Sequence, residues 1–123
     1  MSEPLRILVV DDNADSAESM ALLLSLSGHE TRTAGDGPAA LEAFRAFRPA
    51  VVLLDIGLPG MDGYEVARRL RAEAGEAGAT LVAVTGYGED DDRQRAREAG
   101  FDHHLVKPVD PAKLSALLRR AER

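Results

Sequence analysis

The chain has 123 residues, a formal net charge of −6 and no cysteine. We therefore expect one domain over residues 1–123 without an output domain, no disulfide or thiolate metal site, and no direct binding to nucleic acid, which recruits clustered lysine and arginine. No apolar run approaches the ~18 residues of a membrane span. Since the first residues also lack the pattern of a signal peptide, we expect a cytoplasmic protein without membrane insertion.

Five strand-like segments alternate with five helix-like segments along the chain, a rhythm that predicts a parallel sheet with helices on both faces. The strands are predicted at residues 6–10, 30–34, 51–54, 81–84 and 103–106. The helices are predicted at about residues 15–26, 38–47, 64–73, 89–99 and 111–120. The fourth helix has no large aliphatic residue and offers alanines such as Ala96 and Ala99 for packing, so we expect it to be the most weakly anchored.

The apolar content of each strand predicts its place in the sheet. Residues 51–54 are continuously apolar, which indicates burial on both faces, whereas residues 30–34 are polar and residues 103–106 form a short strand. The doubly wound order 2-1-3-4-5 places the polar strand and the short strand at the two edges. We therefore predict an α/β fold of the flavodoxin-like type, with a five-stranded parallel sheet and five helices.

Polar side chains follow four of the five predicted strands: Asp11 and Asp12 after the first, Asp55 after the third, Thr85 after the fourth and Lys107 after the fifth. The carboxyl ends of parallel strands lie at one edge of a sheet, where α/β proteins bind their ligands. The topology therefore predicts one site that contains three carboxylates, a hydroxyl and an ammonium.

Three neighbouring carboxylates repel one another, and a divalent cation would relieve that repulsion. The donors are all oxygen, which favours Mg²⁺ or Mn²⁺ over zinc. Such an ion would orient a phosphoryl group, while Lys107 and the Thr85 hydroxyl hold its other oxygens. Asp55 is then the candidate nucleophile, forming an acyl phosphate.

Four segments carry a resemblance to a known family: LVVDDN at residues 8–13, LLDIGLPGMDGYE at 53–65, VTG at 84–86 and LVKP at 105–108. With these segments in this order, the whole chain resembles the receiver domain of two-component response regulators. The resemblance implies that Asp55 accepts a phosphoryl group from a phosphohistidine of a histidine kinase or a histidine phosphotransfer protein.

The resemblance also implies a metal site. Asp12, Asp55 and the backbone carbonyl of Gly57 would bind the ion, and Asp11 would act mainly through metal-bound water. It further implies that Thr85, Gly86 and Lys107 contact the phosphoryl oxygens.

Other positions take implied roles from the same resemblance. A cis bond before Pro108 would turn Lys107 into the site, and Gly57 and Tyr87 occupy positions that tune hydrolysis of the acyl phosphate. The chain departs from the family at His104, where many members have tyrosine or phenylalanine as a conformational switch. An imidazole is smaller and can titrate near neutral pH, so we expect an altered or a pH-sensitive switch.

Three other functions are alternatives to that of a receiver. A haloacid dehalogenase-like phosphatase has its nucleophile in Asp-x-Asp after the first strand, whereas this chain has Asp11-Asp12-Asn13. A flavodoxin-like mononucleotide binder needs glycine, serine or threonine in that loop. A phosphorylation-independent binding module is disfavoured because every residue of the acceptor site is present.

Two alternatives remain for the organisation of the full protein. The chain is either a single-domain regulator or phosphate shuttle that acts through protein partners, or the receiver of a larger hybrid histidine kinase. The motifs around Asp55 and at residues 103–108 resemble receivers at the carboxyl ends of hybrid kinases, which slightly favours the second alternative. A weak dimer through the fourth helix, fifth strand and fifth helix is a further expectation from the family.

Overall fold

The computed structural model describes residues 4–57, 63–74, 78–86, 90–107 and 109–121. The strands are β1 (Arg6–Val10), β2 (Glu30–Ala34), β3 (Val51–Asp55), β4 (Thr80–Thr85) and β5 (His103–Val106). The helices are α1 (Ala14–Leu26), α2 (Gly37–Phe47), α3 (Gly63–Ala74), α4 (Asp90–Ala99) and α5 (Pro111–Ala121). Every predicted element is present, and no bound differs from its prediction by more than one residue.

The strands form one parallel sheet in the order β2-β1-β3-β4-β5. This confirms the predicted α/β fold and its strand order. The register places Val9 of β1 between Thr33 of β2 and Leu53 of β3. The polar strand β2 lies at one edge and the short strand β5 at the other, because the three apolar strands between them must be covered on both faces.

Successive residues of each strand point to opposite faces of the sheet, and two apolar clusters result. On one face, side chains such as Leu8, Val52 and Leu81 pack against α2, α3 and α4. On the other face, side chains such as Val9 and Leu53 pack against α1 and α5. Helices therefore cover the sheet on both faces.

The helices bury apolar side chains against the sheet. Leu114, Leu117 and Leu118 of α5 are buried, as are Ala96 and Ala99 of α4. In addition, the Arg95 guanidinium of α4 lies 4.4 Å from the centre of the Tyr64 ring. Whether α4 is the most weakly anchored helix stays a prediction.

Two predicted strands are longer than expected at their carboxyl ends. Asp55 pairs with Val84, and Thr85 pairs with Val106, so both polar residues belong to the ladder. Their side chains are polar, but their backbones continue the hydrogen bonding of the sheet. Asp55 and Thr85 are therefore held by strands and not by loops.

Polar side chains cap the amino-terminal ends of α1 and α2. Oδ1 of Asn13 accepts a hydrogen bond from Ser16 N–H at 3.0 Å, and Oδ1 of Asp36 accepts one from Ala39 N–H at 2.8 Å. These side chains satisfy amide groups that have no partner inside the first turn of α1 and α2. Within the described residues, every helix is too short or too polar to cross a lipid bilayer.

Candidate functional site

The carboxyl edge of the sheet brings three carboxylates together, as predicted. Asp11 follows β1 and Asp55 ends β3, and one oxygen from each of Asp11, Asp12 and Asp55 lies within 4.8 Å of the others. The side chains of Asp11 and Asp55 are largely buried, whereas Asp12 is exposed. The cluster therefore combines two fixed carboxylates with one at the solvent boundary.

The backbone after each strand fixes the two buried carboxylates. Oδ1 of Asp11 accepts a hydrogen bond from Asn13 N–H at 2.9 Å, and Oδ1 of Asp55 accepts one from Gly57 N–H at 2.9 Å. Each bond spans two residues, so each carboxylate closes a small turn. The Oδ2 atom of each carboxylate is left to face the cleft and its cation.

Lys107 supplies that cation. Its Nζ donates a hydrogen bond to Oδ2 of Asp55 at 3.0 Å and lies 3.9 Å from Oδ2 of Asp11. Its backbone N–H donates to the Thr85 carbonyl at 2.7 Å, which continues the pairing of β4 and β5 past the end of β5. The lysine therefore reaches the acids from the far side of β4.

Burial and neighbouring charges act on these groups in opposite directions. Burial raises the pKa of Asp11, although the hydrogen bond from Asn13 and the charge of Lys107 oppose the rise. Burial also acts to lower the pKa of Lys107, but the hydrogen bond to Asp55 and the surrounding carboxylates outweigh it and raise that pKa. Lys107 is thus held as a cation at neutral pH.

A cleft of about 750 Å³ opens beside this cluster. Asp11, Asp55, Gly86 and Lys107 lie on its polar side, and apolar groups of the sheet and of α1 form its wall, among them Val9, Leu53, Met20 and Leu23. Thr85, buried at the end of β4, directly precedes Gly86. A group bound in the cleft would therefore meet an ammonium and carboxylates at one end.

The sequence profile of the response regulator receiver domain family matches residues 7–119. The chain belongs to this family. It is therefore a signalling domain of two-component systems, and the match favours that function over the dehalogenase-like alternative.

Curated relatives agree with this assignment. The chain is 43% identical over 114 residues to the DNA-binding response regulator MtrA of Mycobacterium tuberculosis. The alignment covers 93% of this chain but 49% of MtrA. The receiver chain thus spans about half the length of the curated relatives it matches.

Solved structures show the same fold. The chemotaxis protein CheY4 of Vibrio cholerae has a TM-score of 0.89 and 27% identity, and the match covers 97% of this chain and 99% of CheY4. NtrX of Brucella abortus has a TM-score of 0.87 and 34% identity, covering 97% of this chain and 27% of NtrX. Chains of quite different length therefore share this receiver fold.

The acidic cluster fits the metal that receiver domains generally use. The three carboxylates supply only oxygen donors, which Mg²⁺ prefers, and their spacing allows one ion to be shared. Oδ1 of Asp55 accepts the hydrogen bond from Gly57 N–H, and Oδ2 lies 3.0 Å from Lys107 Nζ. These observations are compatible with Mg²⁺ at the acidic edge of this receiver.

The structure brings most of the predicted site residues to one edge, with three exceptions. Tyr87 and Pro108 lie outside the described residues. His104 lies in β5 beside Ala83, and it lines a separate cleft of about 480 Å³ with Gln94 and Arg97 of α4. An effect of His104 on switching stays a prediction.

Sequence reasoning missed the part played by Asn13. Its backbone N–H orients Asp11, and its side chain caps α1, so one residue links the acidic cluster to the first helix. The sequence contained a usable signal, because asparagine is one of the preferred residues just before a helix.

Proposed function

We propose that this receiver accepts a phosphoryl group on Asp55 from the phosphohistidine of a histidine kinase or a histidine phosphotransfer protein. Response regulators are phosphorylated by histidine kinases, and the residue that takes the group here is our assignment. The observation that carries it is the convergence of Lys107 Nζ on Oδ2 of Asp55 beside the carboxylate of Asp11.

The chemistry of the transfer follows from these positions. A carboxylate oxygen of Asp55 bonds to phosphorus as the bond between phosphorus and the donor's ring nitrogen breaks. The electron pair of that bond stays on the nitrogen, and a donor ring protonated on its other nitrogen leaves as neutral imidazole. Because the transition state is loose, positioning and charge matter more than covalent assistance.

The remaining residues would bind the phosphoryl oxygens. The Lys107 ammonium would exchange its hydrogen bond with Asp55 for one to a phosphoryl oxygen, and the Thr85 hydroxyl and the Gly86 N–H would hold others. We assign Asp11, Asp12, Asp55 and the Gly57 carbonyl to Mg²⁺ or Mn²⁺, which when bound would neutralise charge on the phosphoryl group and orient it. Gly57 and Tyr87 would set the lifetime of the acyl phosphate.

We also propose that residues 1–123 do not contact DNA themselves. Their net charge of −6 opposes contact with a phosphate backbone, and the relatives named DNA-binding are about twice as long as this chain.

As a single receiver domain, the chain would act in the cytoplasm through a protein partner or as the receiver of a hybrid histidine kinase. A face formed by α4, β5 and α5 would serve a weak dimer.

Intact mass spectrometry after incubation with acetyl phosphate tests the acceptor assignment. We expect one phosphoryl adduct in the presence of Mg²⁺, little with a chelator, and none in Asp55→Asn. Asp36→Asn is the matched control, because asparagine caps a helix as well as aspartate does and Asp36 caps α2. An adduct that persists in Asp55→Asn, or no adduct with Mg²⁺, would contradict the assignment.

A further inference from the structure

Gly63, the first residue of α3, lies against the backbone that follows the acceptor strand. Its N–H donates a hydrogen bond to the Ile56 carbonyl at 2.9 Å. A Cβ placed on Gly63 would lie 2.5 Å from Cα of Ile56 and 3.0 Å from the carbonyl oxygen of Asp55. These are backbone atoms, so no side-chain rotation could relieve the overlap.

Ile56 has little freedom to move away from α3. Its N–H donates to the Val84 carbonyl at 3.1 Å, which ties it to β4. It directly follows Asp55, the last residue of β3, and it directly precedes Gly57, whose N–H orients Oδ1 of Asp55. Moving Ile56 would therefore move both groups that set the direction of the Asp55 carboxylate.

The start of α3 is equally constrained on its other side. Tyr64 and Val66 are buried at 5% and 0% exposure. The Tyr64 ring packs edge-on against Phe101, with ring centres 6.4 Å apart. Withdrawing α3 from Ile56 would open this packing, so the close approach is held from both sides.

We propose that Gly63 is a positioning residue of the acceptor site. The absence of a side chain lets α3 press on Ile56, and this contact fixes the turn from Asp55 to Gly57. This turn keeps Oδ1 of Asp55 hydrogen-bonded to the Gly57 N–H, so that Oδ2 can accept the hydrogen bond from Lys107. The inference rests on the proposed function for its effect on phosphorylation, but the geometry it predicts can be measured without phosphorylation or metal.

The variant Gly63→Ala tests the proposal by NMR and by calorimetry. In metal-free protein we expect the amide resonance of Gly57 to shift, because its hydrogen bond to Asp55 is displaced. We expect the dissociation constant for Mg²⁺, measured by titration calorimetry, to rise about 10- to 100-fold, the range typical for loss of a group that orients a metal ligand. Phosphorylation by acetyl phosphate should slow in parallel.

Two control variants separate positioning from general effects. Gly35→Ala adds the same methyl group where no heavy atom lies within 4 Å, and it should match the wild type. Val66→Ala weakens the packing of α3 but leaves the backbone contact of Gly63 with Ile56 in place, and it should lower the melting temperature while keeping Mg²⁺ affinity and the Gly57 resonance. If Val66→Ala loses Mg²⁺ affinity as Gly63→Ala does, the effect is one of stability and the proposal is overturned.

A measurement on the wild type applies even if Gly63→Ala fails to fold. The hydrogen bond from Gly63 to Ile56 predicts a scalar coupling across it and slow exchange of the Gly63 amide. Changing Asp55 to asparagine should shift the Gly63 amide together with that of Gly57, since one turn carries both. A missing coupling, or a Gly63 amide that does not respond, would overturn the proposal, and neither result depends on whether Asp55 accepts a phosphoryl group.

Discussion

The ammonium of Lys107 donates a hydrogen bond to Oδ2 of Asp55 at 3.0 Å and lies 3.9 Å from Oδ2 of Asp11. The proposed nucleophile thus forms an ion pair through Oδ2. A metal ion that binds to the same oxygen must share it with the ammonium or displace it. Lys107 and Mg²⁺ are therefore expected to compete for Asp55.

This competition predicts the behaviour of Lys107→Met. Removing the positive charge should tighten Mg²⁺ binding about two- to fivefold, which corresponds to the modest energy of a partly exposed ion pair. The same change should slow phosphorylation by acetyl phosphate, since a phosphoryl oxygen loses its cation. Titration calorimetry and intact mass measure the two effects separately.

Two control variants accompany that experiment. Lys113→Met removes a lysine of α5 that is exposed and should leave both quantities unchanged. Lys107→Arg keeps the charge and should keep Mg²⁺ affinity near that of the wild type. Weaker Mg²⁺ binding by Lys107→Met would show that the lysine supports the metal site and does not oppose it.

Replacing Asp11 should stabilise the folded protein by an amount that depends on pH. Burial raises the pKa of its carboxyl above the ordinary value of 3.8, so the folded protein binds this proton more tightly than the unfolded chain does. Its contribution to stability is therefore present below 3.8 and is lost as the pH rises through the folded pKa. Above that pKa the ionised carboxylate destabilises the fold.

We therefore expect Asp11→Asn to raise the free energy of unfolding at pH 7 by about 0.5–2 kcal/mol, the usual range for stabilising changes of this kind. An amide oxygen can still accept the hydrogen bond from Asn13. The gain should disappear below pH 3.8, where aspartate is neutral as well. Urea unfolding with a chelator across this pH range measures it, and a loss of stability at pH 7 would show that the pairing with Lys107 outweighs burial.

The fold was predictable because its signals are local and repeated. Residues 51–54 are apolar without a break, a pattern that is typical of a strand covered on both faces. Once the strands and their order are fixed, the parallel topology brings Asp11, Asp55 and Lys107 to one edge without further information. The grouping of these three residues at one edge of the sheet thus follows from the order of the strands alone.

The contacts that orient those residues were not predictable in this way. The hydrogen bond from Lys107 Nζ to Oδ2 of Asp55 joins residues 52 positions apart, and the close approach of Gly63 to Ile56 depends on how α3 is placed against the end of β3. No periodicity in the sequence encodes such distances. The strands set the positions of the acids, local turns hold Oδ1 of Asp11 and of Asp55, and a tertiary contact brings Lys107 to Oδ2 of Asp55.

Arg71 is a second example of a residue whose importance is set by tertiary contacts. From α3 it donates hydrogen bonds to the carbonyls of Ala79 at 3.2 Å and Gly100 at 2.7 Å, and to Oδ2 of Asp102 at 2.7 Å. The same oxygen of Asp102 accepts from Leu81 N–H at 2.8 Å. One guanidinium therefore joins α3 to the start of β4 and to the end of α4.

We expect Arg71→Met to lower the free energy of unfolding by about 2–3 kcal/mol, because partly buried acceptors lose a charged donor. Arg69→Met is the matched control on the same helix, where the partner is Glu65 and both side chains are exposed. That change should cost less than about 0.5 kcal/mol. Equal urea midpoints for the two variants would show that the Arg71 contacts contribute no more than a surface ion pair.

Arg48 ends α2 in the left-handed region, with φ 52° and ψ 62°, and its N–H donates to the Phe44 carbonyl at 3.0 Å. A side chain in this conformation costs about 1–2 kcal/mol, whereas glycine adopts it freely but loses about 0.5–1 kcal/mol more backbone entropy on folding. Arg48→Gly should therefore stabilise the domain by about 0.5–1 kcal/mol. Arg48→Ala is the necessary comparison, because it removes the same charge and keeps the strain. A higher urea midpoint for the glycine variant than for the alanine variant assigns the gain to the backbone, whereas equal midpoints would mean that the left-handed conformation costs little at this helix end.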